Sequence, residues 1–142
     1  MKNILSTLAI LLLTVTTLSA QSVLGNWKTI DDNTGVAKSI VEIYEQDGKI
    51  HGKIKEIFNK DRRDALCVEC DGADKDKPVL GMVIIRGLEK DGDEYNGGKV
   101  LDPENGTFYK CYITLEEPNK LKVRGYVGFS MFGRTQYWLR AE

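Results

Sequence analysis

The 142-residue sequence predicts an all-β fold, an eight-stranded antiparallel up-and-down barrel. Three observations lead there. Turn signals recur at hairpin spacing: Asn33-Thr34-Gly35, Asp47-Gly48, Asp91-Gly92, Asn105-Gly106 and Glu117-Pro118-Asn119. Asn-Gly and Asp-Gly supply the positive φ angles that two-residue hairpins need. Between them lie runs rich in Val, Ile, Tyr and Thr, several of which alternate apolar with polar at period two, as strands with one face on a core do. After residue 20 no run reads as a helix. Closing eight strands into a barrel removes both exposed sheet edges. A two-sheet sandwich gives the same alternation and is the alternative.

The strands follow in order. The first two, 23–30 and 36–46, flank the Asn33-Thr34-Gly35 turn, and the second stops at Asp47-Gly48. The third, 49–58, sets Ile50, Gly52 and Ile54 against Lys49, His51, Lys53 and Lys55. The only long connection, 59–78, is about twenty residues of mostly polar and charged chain, a length that in a compact domain marks a functional or disordered loop. The fourth strand, 79–88, and the fifth, 94–101, flank Asp91-Gly92. In the sixth, 107–116, Tyr109, Cys111, Ile113 and Leu115 share a face opposite Lys110, Tyr112 and Thr114. In the seventh, 120–128, Leu121, Val123, Gly125 and Val127 oppose Lys120, Lys122, Arg124 and Tyr126, and the eighth is 134–141.

Length and charge bound the rest. Residues 21–142 fit one domain. The chain's formal charge is −1, and residues 1–20 take away one Lys and no acid, which leaves −2. Nucleic acid is excluded as a main partner, because phosphate binding needs a surplus of Lys and Arg. A composition 42% hydrophobic and 29% charged is that of a folded chain. Residues 1–20 read as a cleaved signal peptide. Met1-Lys2-Asn3 is the basic start, 4–18 is apolar but for Ser and Thr, and Ser19-Ala20 ends in small residues. That run falls short of the roughly 20 residues a membrane helix needs, and no stop-transfer cluster follows. The expectation is a periplasmic or secreted protein with no membrane span after cleavage.

A series of short motifs runs through the chain: Gly25-Asn26-Trp27, Lys38-Ser39-Ile40-Val41-Glu42-Ile43-Tyr44, Asp47-Gly48-Lys49-Ile50-His51-Gly52-Lys53-Ile54, Leu80-Gly81-Met82 after Cys67 and Cys70, 98–106 from Gly98 to Gly106, Lys122-Val123-Arg124-Gly125-Tyr126, and Gly133-Arg134-Thr135-Gln136-Tyr137-Trp138. Together they resemble DUF2147, a family of exported bacterial proteins of unknown function. The resemblance implies a calycin/lipocalin-like barrel and no activity. Such barrels often carry Gly-x-Trp on the first strand and, on the last, an Arg whose guanidinium stacks on that Trp. Gly25 and Trp27 fit the first part, and Arg140 or Arg134 the second. On this reading Trp27 belongs to a structural latch and not to a ligand site.

Three thiols are present. In an oxidising compartment Cys67-x-x-Cys70 reads as a disulfide within the long connection, while a bridge from either to Cys111 would pin that connection to the barrel. A redox role lacks the strand-to-helix setting that lowers a thiol pKa, and zinc would need a fourth ligand, with His51 the only histidine. Asp71, Asp74 and Asp76 lack the spacing of a calcium loop and read as a solvated turn. Asp102-Pro103-Glu104-Asn105-Gly106 carries two carboxylates but is turn chemistry throughout. No metal or cofactor is expected, and no catalytic constellation: the chain reads as not an enzyme.

Large polar-aromatic side chains gather on the last three strands: Tyr109, Arg124, Tyr126, Arg134, Tyr137 and Trp138. Turned inward, Tyr109, Arg124, Tyr126, Arg134 and Trp138 would line a pocket, with an Arg on an acidic headgroup and aromatics around an apolar body. Turned outward, Arg124 simply joins Lys122, and the aromatics fill the core. The leading expectation is a periplasmic barrel that binds a small apolar or amphipathic ligand. The alternative is a non-enzymatic envelope protein that meets a protein partner through the 59–78 and 128–133 loops, the second bearing Phe129, Met131 and Phe132.

Overall fold

At the reversal between the second and third strands, Asp47 (φ 55°) and Gly48 (φ 77°) adopt the left-handed backbone that a two-residue hairpin demands. The computed structural model describes residues 22–141 and is a closed barrel of eight antiparallel strands. They are β1 (Gly25–Ile30), β2 (Ala37–Gln46), β3 (Lys49–Ile57), β4 (Val83–Asp91), β5 (Glu94–Asp102), β6 (Thr107–Glu117), β7 (Lys120–Tyr126) and β8 (Gly133–Arg140). Each strand pairs with the next, and β1 closes on β8 with Trp27 opposite Arg140. The barrel is therefore the architecture, and the sandwich is not. No helix among the described residues is long and apolar enough to cross a membrane. The expected signal segment, 1–20, lies outside the described residues.

One strand starts later than its composition suggests. Residues 79–82 belong to the connection, because Val79 N–H donates to Ala65 O and Gly81 N–H (φ 88°) to Ile54 O. β4 takes over only at Val83.

The connection before β4 is folded and not loose. It has two short 3-10 turns, Lys60–Arg62 and Gly72–Asp74, the first opened by the Asn59 side chain accepting from Asp61 N–H. Cys67 and Cys70 form a disulfide and are buried, which leaves Cys111 as a free, buried thiol on β6. Leu66 bridges to Pro78, and Lys75 donates to the Val68 carbonyl. Asp74 meets Arg86 of β4 with both carboxylate oxygens, at 2.9 and 3.2 Å. That fork ties the connection to the barrel wall and gives Asp74 a structural partner.

Period-two alternation sends the apolar faces inward. Trp27, Val41, Ile43, Ile50, Ile85, Leu88, Ile113 and Leu121 are buried in one end of the barrel. Gly52 lets that end close: a Cβ there would stand 3.1 Å from Ile43 Cδ1 and from Ile85 Cβ. The other end is hollow.

Candidate functional site: the barrel cavity

The connections β1–β2, β3–β4, β5–β6 and β7–β8 meet at the hollow end, and the three remaining turns meet at the packed end with Ser22 and Ala141, the ends of the described residues. A cation seals the packed end. The Arg140 guanidinium lies 4.3 Å from the centre of the Trp27 ring. It also donates to Ser22 O (2.7 Å), Pro118 O (2.9 Å) and Leu24 O (3.1 Å). Gly25 makes room for it: φ is +121°, and a Cβ would come within 3.2 Å of Arg140 Nη1. Trp27 is fully buried, and its Nε1 donates to Val23 O at 2.8 Å. Of the two arginines considered for the latch, Arg140 holds the place. Arg134 sits at the opposite end of β8, where it faces Asp32 at 3.3 Å.

The hollow end holds a cavity of about 820 Å³. Its deep wall is apolar: Ile54, Ile57, Ile84, Val100, Leu101, Val123 and Trp138. The space exists because small residues face inward there, among them Thr29, Ala37, Ser39, Ala65 and Gly125. Polar groups join the lining towards the rim, and several are held in place. Thr29 and Ser39 share a hydroxyl–hydroxyl bond of 2.6 Å. Trp138 Nε1 donates to Gln136 Oε1 (3.1 Å), and Gln136 Nε2 donates to Asp32 Oδ2 (3.2 Å), so a chain of bonds climbs from the wall to the rim. Tyr109 Oη accepts from Asn105 Nδ2 at 3.2 Å.

The rim is charged and nearly balanced. Lys38 stands 3.1 Å from Glu104 and 3.9 Å from Asp31. Backbone N–H groups of Thr34 and Asn33 hold the Asp31 carboxyl below its usual range, so it stays ionised. Among the described residues the lining cation with no carboxylate partner is Arg62, at the first turn of the long connection.

The residues expected to line a pocket fall in three places. Tyr109 and Trp138 are in the cavity wall, and Arg134 is on the rim. Tyr126 borders the mouth, while its ring packs against Tyr112, 6.2 Å between centroids, on the outer face. Arg124 lies outside the cavity and donates to Ser130 O and Thr135 Oγ1, both at 2.7 Å. The reason is the alternation itself: Val123 and Gly125 point inward, so Arg124 cannot. Sequence reasoning did not single out Gln136, Thr29, Ser39 or Arg62. Gln136 was within reach, because it shares the face of Arg134 and Trp138.

The solved structure of protein HP1028 from Helicobacter pylori, described as belonging to the lipocalin family, is similar with a TM-score of 0.76 and 18% identity. The match covers 87% of this chain and 85% of that one, and at this identity it is a likeness of fold. No curated protein matches the chain. The family model that does match, "Uncharacterized protein conserved in bacteria (DUF2147)", spans residues 25–140 and so takes in the latch, the long connection and the cavity: the chain belongs to the DUF2147 family.

Proposed function

We propose that this protein is an exported, non-enzymatic binding protein that holds one small amphipathic molecule in the hollow end of its barrel. The observation that carries the reading is the cavity: about 820 Å³, apolar in depth and polar at its rim. Ligand sites typically enclose about 300 to 1,000 Å³, with a few placed polar groups in a mostly apolar wall. The ligand's apolar body lies against Ile54, Val100, Val123 and Trp138, and its polar end faces the rim. The unpaired Arg62 favours a ligand whose polar end is anionic, since the other rim cations already face carboxylates. Export rests on the pattern of residues 1–20 alone.

The test is a fluorescence titration of the purified protein with dansylaminoundecanoic acid. Expected is a saturable, blue-shifted signal at one probe per chain, displaced by unlabelled long-chain acid. An emission that rises linearly and never saturates would overturn the reading.

A further inference from the structure

The β7–β8 connection carries an exposed apolar tip. Phe129 is 76% exposed and Met131 75%, and Val127 and Phe132 beside them are exposed as well. The tip is not a loose loop. Val127 N–H donates to Phe132 O (2.9 Å) and Phe132 N–H to Phe129 O (3.0 Å). Two cations brace it from the outer face of the barrel: Arg124 Nε donates to Ser130 O at 2.7 Å, and Lys110 Nζ to Gly128 O at 3.3 Å. The backbone thus holds apolar side chains outward in a fixed turn, with positive charge at its base.

Charge along the chain sharpens the pattern. Residues 118–141 contain Lys120, Lys122, Arg124, Arg134 and Arg140 and no Asp or Glu, in a chain whose formal charge is −1. Lys120 and Arg140 lie at the far end of the hairpin, whereas Lys122 and Arg124 share the outer face behind the tip with Tyr112 and Tyr126. On the neighbouring rim Asp31 and Glu104 meet Lys38 and Asp32 meets Arg134, while Asp102 accepts from the Glu104 N–H.

We propose that this tip docks on a lipid bilayer rich in anionic headgroups. Phe129 and Met131 enter the boundary between headgroups and acyl chains, and Lys110, Lys122 and Arg124 meet the phosphates. Apolar side chains ahead of a basic, tyrosine-bearing face are the arrangement by which peripheral proteins hold an interface. A protein pocket would also accept the aromatic side chains, but it would not call for a row of cations without an acid among them. Val127 and Phe132 also line the cavity mouth, so docking brings the mouth to the bilayer surface. The docking stands whether or not the cavity holds a ligand.

Co-sedimentation of the purified protein with vesicles tests it, comparing phosphatidylcholine alone with phosphatidylcholine containing about one-third phosphatidylglycerol. Binding to the anionic vesicles is expected, weakening as salt rises. Phe129→Ser with Met131→Ser should lower it at least about tenfold, because two exposed apolar side chains lose their place in the lipid. The same double variant should bind the dansylated acid in vesicle-free buffer as the parent does, which separates this inference from the ligand reading. Phe129→Trp, which keeps the tip apolar, should shift to the blue on anionic vesicles and be quenched by brominated acyl chains. Three results would overturn the proposal: no sedimentation with either vesicle, sedimentation that the double variant leaves intact, or an unquenched Trp at 129. A dimer in analytical ultracentrifugation that disappears with Phe129→Ser would also overturn it, in favour of a second copy of the chain covering the tip.

Discussion

Arg140 shows how much one side chain can do when its geometry is fixed. It stacks on Trp27 and reaches three carbonyls from two separate segments of chain, 22–24 and the β6–β7 turn. Arg140→Ala is expected to cost about 2 kcal/mol, combining a cation–π contact with charged hydrogen bonds at a partly wet site. Arg140→Lys should recover less than half, since an ammonium cannot present the planar fork that spans these acceptors. Urea denaturation of the three proteins checks both. Cys111 makes a different prediction, one in pH. Burial pushes its thiol up to about 12 from an ordinary 9.0. Below pH 9 the thiol is neutral in both folded and unfolded chains and contributes no pH dependence. Above pH 9 the unfolded chain ionises while the folded one does not, so stability falls as pH rises towards 12. Between pH 8 and 10 the loss relative to Cys111→Ala should be about 1.4 kcal/mol, read as the difference between the two proteins' denaturation midpoints. A parallel pH course for both proteins would show that Cys111 ionises freely.

At the scale of elements, the connection between β3 and β4 depends on a glycine elsewhere. Gly106, in the β5–β6 turn, sits at φ +70°, and a Cβ on it would overlap the Glu69 carbonyl and come 2.8 Å from Cys70 N. Gly106→Ala should therefore lift the disulfide-bearing segment from the barrel. Gly48 is the control: its φ is +77°, but a Cβ there would meet nothing within 4 Å. Gly48→Ala should cost only the left-handed backbone penalty, about 1 kcal/mol. Gly106→Ala should cost at least about twice that and speed tryptic cleavage at Arg62, Arg63 or Lys75. Equal stability and equal cleavage of the two variants would mean that the connection does not lean on Gly106. This dependence could not be seen in the chain, where Asn105-Gly106 reads simply as a hairpin turn. The strands were legible because alternation and turn residues are local properties, and Leu121-Lys122-Val123-Arg124-Gly125 announces its two faces without help from any neighbour. The start of β4 was not, because Val79 and Leu80 look like strand residues, and only the bonds from Val79 to Ala65 and from Gly81 to Ile54 take them out of the sheet.

Over the whole molecule, the barrel divides into a packed half that supplies stability and a hollow half that gives up core volume. The family resemblance and the alternation pointed to a barrel, yet neither says which end is empty. That follows from small residues coming to one level: Thr29, Ala37 and Ser39 lie on the first hairpin and Gly125 far along the chain on β7, and they share one wall only once β1 closes on β8. Gly125 is the position at which emptiness can be tested. Its backbone is ordinary strand, and a Cβ would stand 3.5 Å from Val100 Cγ1 and 3.6 Å from Tyr109 Cβ, normal contact distances. A larger side chain at 125 therefore starts without a clash and can grow only into the cavity. Gly125→Leu is expected to fold as well as the parent or better, by up to about 1 kcal/mol, because it adds apolar contact and removes a flexible glycine from a strand. It should lower affinity for the dansylated acid at least about tenfold by occupying the space the chain of that acid would use. Thermal unfolding and the probe titration, done on the same samples, read the two effects separately. Loss of binding with stability retained places the probe inside the barrel. Unchanged binding by a well-folded Gly125→Leu protein would instead put the probe on the outside, with Phe129 and Met131 as the first place to look, and the cavity would then be a consequence of the fold with no ligand of its own.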